Sequence, residues 1–307
     1  MASNNHSSVS EFILQSFSEN PQVKILIFSL FLVLFIVALT GNSLIITVIS
    51  LNPGLHTPMY FFLINLAMLD ILSTCTVVPK LLQNIISKNT ISYGGCIAQI
   101  YFLTLCLGFE LLLFTAMAYD QYAAICQPLH YSTIMSKAAC CLVASAVWAI
   151  SGTNATIHTI LTVHLSFCGP NVIDHFFCEI PPLLPLSCSS IDVNNAMVLV
   201  RDMFFGIFNF IFILVSDGFI ISIILKIQTK EGKKRAFSTC SSHLIVVTMY
   251  YCSIIYIYIL PAFGQPLKKG KVASVFYATV SPALNPLIYS LRNKDVKVAL
   301  KKFISIS

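Results

Sequence analysis

Apolar residues in this chain fall into seven long runs, at roughly 25–49, 59–82, 97–119, 138–162, 197–225, 237–260 and 272–290, with shorter polar stretches between them. A helix rises about 1.5 Å per residue, so runs of this length can cross the ~30 Å hydrocarbon layer of a bilayer. Inside lipid each backbone N–H and C=O needs a partner within the protein, and a helix supplies all of them from its own chain. The pattern predicts an all-α membrane protein built as a bundle of seven transmembrane helices. Thr57-Pro58 marks the head of the second run, because proline lacks an N–H that the first turn would leave unpaired. After the seventh run, Val296, Ala299, Leu300, Phe303 and Ile304 recur at helical spacing, with Lys294, Lys297 and Lys301 mostly opposite. That predicts a short amphipathic helix on the membrane surface. The expected divisions are an extracellular tail (1–24), a transmembrane domain (25–291), and a cytoplasmic amphipathic helix and tail (292–307).

Composition removes the main alternatives. Of 307 residues, 57% are hydrophobic and 10% charged, against about 25% charged in soluble domains. A soluble globular domain is excluded. The net charge of +6 does not point to nucleic acid, since the basic residues lie between apolar runs and near the C-terminus, where inner-leaflet headgroups attract them. An odd number of crossings puts the two termini on opposite sides. With the N-terminus outside, eleven of the eighteen basic residues are cytoplasmic, in the direction of the positive-inside rule. Four of the eleven cysteines, Cys96, Cys168, Cys178 and Cys188, sit in loops or at a loop edge on one side. Two disulfides there would place that side outside the reducing cytosol. Residues 1–20 show no basic leader or small-residue cleavage site, so the first run is expected to act as an uncleaved insertion signal. Asn5-His6-Ser7 fits a glycosylation acceptor on an exposed tail.

Several stretches carry a family resemblance. They are Leu55-His56-Thr57-Pro58-Met59-Tyr60, Met117-Ala118-Tyr119-Asp120, Lys234 through His243 (KRAFSTCSSH), and Pro282 through Tyr289 (PALNPLIY), with Gly41-Asn42, Asp70 and Trp148 as further landmarks. In this order and spacing the chain resembles the olfactory receptors, a branch of the rhodopsin-like G-protein-coupled receptors. The resemblance implies a small-molecule odorant ligand, a stimulatory heterotrimeric G protein as partner, and residence in the ciliary plasma membrane of sensory neurons. It also implies that Cys96 pairs with Cys178, and Cys168 then with Cys188. His175 through Glu179 (HFFCE) is similar to a metal motif proposed for some odorant receptors, but a sulfur held in a disulfide is not an available thiolate, so no metal is expected there.

Polar groups at membrane depth are costly and usually functional. Asp70 and Glu110 lie mid-span, and Asn42 and Asn285 are candidates for the same polar core. The resemblance suggests that Asp70 and Glu110 help bind sodium; a hydrogen-bonded packing cluster is the other reading. Glu110 and Gln121, eleven residues apart, share one helix face with Leu103, Leu107, Phe114 and Met117, being about three turns apart. The expected ligand cavity is mostly hydrophobic, lined by Leu103, Thr104, Leu107 and Gly108 of the third run, Phe205 of the fifth, Tyr251, Ile254, Ile255 and Tyr258 of the sixth, and Ala278 of the seventh. Arg201-Asp202 admits two readings: an interfacial pair whose arginine snorkels to water, or a pair of which one member faces the pocket and selects a polar-headed odorant. Pro181, Pro182 and Pro185 are expected to stiffen a lid rather than touch ligand.

At the switch the chain departs from the family pattern. The acidic-Arg-Tyr triplet reads Asp120-Gln121-Tyr122, and Ser216 is followed by Asp217 in place of tyrosine. Gln121 has no cation and no bidentate fork. Coupling retained but weakened is the favoured expectation, and a receptor that binds without signalling is the alternative. His243 and Tyr289 complete the expected switch set. An enzyme would need a convergent nucleophile and base or an open metal site, whereas His158, His164 and His243 are scattered and neither HExxH nor GxSxG occurs. A transporter or channel remains the distant alternative, without visible repeats or selectivity rings to support it.

Overall fold

The computed structural model describes residues 9–168, 170–231, 233, 244–252, 274–292 and 296–299, with 276 and 289–292 described by their backbone alone. Among these residues, five helices are long and apolar enough to cross a membrane: Pro21–Leu51, Pro58–Ile86, Tyr93–Cys126, Lys137–Val163 and Asp192–Lys226. Residues 244–252 and 274–292 supply parts of the sixth and seventh spans, and the molecule is a helical membrane bundle. Asn5, Ile254, Ile255, Tyr258, His243 and the KRAFSTCSSH stretch lie outside the described residues, as does the side chain of Tyr289. Of the expected surface helix, residues 296–299 are described; they are helical, with Val296 and Ala299 buried.

The helices begin where local chemistry allows. Asn20 Oδ1 accepts from the Gln22 N–H at 2.9 Å ahead of Pro21, and Ser92 and Ser136 accept from Gly95 and Ala139 at 3.2 and 3.3 Å. Each satisfies an N–H of a first turn that has no intrahelical acceptor. The second span starts at Pro58, although Thr57 makes no side-chain cap bond. The third span sits at the centre, packed on the second, fourth and fifth, while the first packs on the second and seventh. Gly41 is where the first and seventh spans close: a Cβ built there would lie 2.9 Å from Pro286 Cγ. The outward faces stay apolar. Ile25, Leu26, Leu30, Val33 and Ile36 of the first span are exposed, a run that water would penalise and acyl chains cover.

The N-terminal segment departs from the polar tail expected over 1–24. Glu11–Leu14 forms strand β1, between β2 (Thr90–Ser92, antiparallel) and β3 (Val172–Ile173, parallel), and the first helix already begins at Pro21. Phe12 and Leu14 point inward, at 0% and 2% exposure, into a satellite core with Ile91, Ile100, Ile173, Ile180 and Leu183. Burying these apolar side chains ties the tail to two loops at the same end of the bundle.

Candidate functional site

The structure joins Cys96 to Cys178 and Cys168 to Cys188, with Cα–Cα separations of 5.4 and 5.9 Å. The first bridge fastens the head of the third span to the loop between the fourth and fifth. Gln99, one turn further along, reinforces it: its Oε1 accepts from the Cys178 N–H at 2.8 Å and its Nε2 donates to the Thr76 carbonyl at 3.0 Å. His175 Nδ1 lies 3.1 Å from the Phe177 carbonyl and its ring meets Phe177 edge-on, and no cluster of three metal-ligating side chains occurs among the described residues.

Beneath this loop lies a small cavity of about 20 Å³ lined by Ile100, Leu103, Thr104 and Leu107 of the third span, Glu179, Ile180 and Pro181 of the loop, Arg201 of the fifth span and Tyr277 of the seventh. Leu103, Thr104 and Leu107 are where periodicity puts them. Arg201 does not snorkel. It is 7% exposed, and its Nε and Nη2 lie 2.9 and 2.7 Å from Asp202 Oδ1, while Asp202 itself stays off the wall. Pro181 is part of the wall and not only a stiffener of the loop. Glu179 and Tyr277 escaped sequence reasoning, being 98 residues apart; the Tyr277 hydroxyl donates to the Glu179 carboxylate, and both are buried.

Two π-helical stretches adjoin or contain wall residues. Asp202–Phe208 follows Arg201 directly, and Phe276–Val280 contains Tyr277 and the fully buried Ala278. Such stretches, with wider turns than an α-helix, recur at functional sites. Asn209 accommodates the first: its Nδ2 donates to the Phe204 carbonyl at 2.8 Å, and its Oδ1 accepts from Thr115 at 2.8 Å. Phe205 then reaches Gly108, where a Cβ would approach its ring to 3.3 Å. Tyr251 stacks on Phe210 with centroids 4.7 Å apart, and its buried hydroxyl has no partner among the described residues.

Below the cavity the polar residues converge. Asn285 Nδ2 donates to both Asp70 oxygens at 3.0 and 3.2 Å. Asn42 Nδ2 donates to the Pro282 and Ala38 carbonyls at 3.0 and 2.9 Å. Glu110 accepts from Tyr250 and Asn285, leaving its Oε1 and the nearby-span Thr74 Oγ1 buried without partners among the described residues. The two carboxyl groups of Asp70 and Glu110 share this buried core, and oxygen donors are the type that suits a small hard cation.

At the opposite end of the third span, the Tyr131 hydroxyl donates to Asp120 at 2.8 Å. Burial and the adjacent Asp120 carboxyl push the Tyr131 phenol above its ordinary pKa, which keeps it a donor. Gln121 and Asp217 are 3% and 7% exposed, and Gln121 Oε1 and Asp217 Oδ1 each lack a partner among the described residues. Tyr122 packs edge-on against Phe219, 6.1 Å away. A separate cavity of about 290 Å³ at this end borders His56, Phe61 and Lys137 and touches none of the polar-core residues.

Comparison with known proteins accords with this arrangement. Residues 31–306 match the olfactory receptor family. The chain is 57% identical to human olfactory receptor 13A1 over 97% of its own length and 91% of that protein's. It is 51% identical to human olfactory receptor 13G1, over 97% of each, and 42% identical to rat olfactory receptor 1f45, over 100% and 98%. The chain belongs to the olfactory receptor family, and so is a multi-pass G-protein-coupled receptor of the odorant-sensing class and not an enzyme.

Proposed function

We propose that this receptor binds small, mostly apolar odorants in the cavity beneath the disulfide-held loop and activates a stimulatory heterotrimeric G protein at the opposite end. On this reading the N-terminus is extracellular and the protein resides in the plasma membrane of olfactory cilia. One observation carries it: the third helix runs unbroken from the cavity wall at Leu103 and Leu107, through Glu110, to Asp120 and Gln121, so one rigid element touches both sites. Cells expressing the chain should raise cAMP in a dose-dependent way to members of a diverse odorant panel, without an accompanying ion current through the protein itself. A current with no cAMP response would favour the channel reading.

A weakened coupling step is favoured by the two orphaned oxygens at Gln121 and Asp217. Neither can form the cation-to-phenol contact of the family's switch. Replacing them together, Gln121→Arg with Asp217→Tyr, is expected to raise the maximal ligand-evoked cAMP several-fold while leaving the half-maximal concentration nearly constant. Equal output from the two chains would show that the departures do not matter.

The polar core is proposed to hold sodium in the resting receptor, with Asp70 and Glu110 as oxygen donors. Exchanging sodium for choline is expected to raise agonist affinity a few-fold, an effect that Asp70→Ala removes. Affinity independent of sodium in the parent chain would leave packing as the cluster's role.

A further inference from the structure

We propose that the apolar cavity at the end of the bundle opposite the disulfide-held loop takes one acyl chain of an anionic phospholipid, whose phosphate meets Lys137. On the topology proposed above that end faces the cytoplasm and its inner leaflet. The binding itself is independent of the odorant reading.

The cavity measures about 290 Å³, near the lower end of the ~300–1,000 Å³ found for ligand pockets. Packed interiors leave few voids larger than a water molecule, so an apolar space of this size calls for an occupant. The lining suits an amphiphile. Ile49, Leu55 and Met135 are buried, whereas His56, Thr57 and Lys137 are exposed. Leu142, beside the lining residue Cys141 in sequence, is 72% exposed, so the outer side of this wall meets acyl chains. The exposed rim is positive. Lys137 supplies a cation, and no acidic side chain lines the cavity among the described residues. The second and fourth helices both begin here, at Pro58 and Lys137, with the positive ends of their dipoles at the same end of the bundle. The Thr57 hydroxyl makes no cap bond and is a further donor on the rim. A sterol offers Lys137 no charge, and a zwitterionic lipid brings its own cation beside the lysine. An anionic phospholipid carries the matching sign and is already a component of the inner leaflet.

The chain carries its own reporter. Trp148 is its one tryptophan; it lies about two turns from Cys141 along the fourth helix, and its Nε1 donates to Asn65, next to Ile64 of the lining. Full-length receptor is reconstituted in phosphatidylcholine vesicles, and Trp148 fluorescence is followed as brominated phosphatidylserine or brominated phosphatidylcholine replaces part of the lipid. A lysine at a membrane surface favours an anionic lipid about fivefold, and phosphatidylserine should quench with that preference. Lys137→Gln, at an exposed position, should reduce the preference below about twofold, and Lys137→Arg should retain it. Cys141→Phe, which takes up cavity volume, should weaken quenching by both lipids. Equal quenching by the two lipids in the parent chain, or a preference that Lys137→Gln leaves intact, would overturn the proposal. Cholesterol or oleate displacing brominated phosphatidylserine as well as unlabelled phosphatidylserine does would also overturn it, by giving the cavity another occupant. The receptor reading fails separately, on a silent cAMP response across the odorant panel.

Discussion

Cys178→Ala is expected to abolish delivery of the receptor to the cell surface, whereas Cys168→Ala should reduce it only in part. Both bridges close loops, and the chain-entropy account makes a closed loop of 82 residues worth about 4.5 kcal/mol against about 3 kcal/mol for one of 20. Their surroundings separate them further. Cys96 and Cys178 are fully buried within the satellite core beside Phe12, Ile100 and Ile180, while Cys168 and Cys188 are exposed. Losing the first bridge frees the segment that places Glu179, Ile180 and Pro181 over the cavity, and it leaves the Cys178 N–H to Gln99 bond unsupported. Net stabilities are of the order 5–15 kcal/mol, so a loss of that size is decisive for a protein inspected during export. Flow cytometry against an N-terminal tag, with total protein measured in parallel, checks the result. Equal surface levels of Cys178→Ala and the parent would refute it.

The spans were legible because length and apolarity are local properties. Their ends were less so: the third apolar run covers 97–119, whereas the helix occupies Tyr93–Cys126. Helices continue past the hydrocarbon into polar sequence, and Ser92 rather than the last apolar residue sets the start. Strand β1 could not be read in advance. Glu11–Leu14 is four residues in a polar tail, and its partners lie at 90–92 and 172–173, so nothing near it in sequence announces the pairing. At the cavity, Leu103, Thr104 and Leu107 followed from helical period, whereas Glu179 and Tyr277 meet only once the loop is folded back. Arg201 illustrates how depth along a span misleads. Near the end of a helix a snorkelling arginine is the usual outcome, yet the loop covers this one and Asp202 holds it. The Asn209 and Gln99 amides carried one usable signal, an amide within an apolar run, and each turns out to bridge two elements.

Asn285→Leu should be the most damaging single change in the polar core, and pairing it with Asp70→Leu should restore stability without restoring signalling. Asn285 Nδ2 contacts both Asp70 oxygens and the Asn285 side chain also serves Glu110. Leucine removes every donor it supplies and leaves Asp70, 1% exposed, against apolar surface. Breaking such a buried set from one side costs about 3–5 kcal/mol, a fall of roughly 6–20 °C in apparent Tm at 2–4 °C per kcal/mol. The double variant removes the stranded carboxyl too, and two leucines of near-matching volume approach an ordinary apolar contact. At least half of the lost Tm should return. If the cluster exists to let the helices switch, ligand-evoked cAMP stays absent in the double variant despite its recovered stability. A double variant that signals like the parent would mean that Asp70 and Asn285 only pack. The same carboxyl that makes the single change so costly would then be a burden without a use, in a core where three further buried groups, Asn42, Glu110 and Thr74, share the expense.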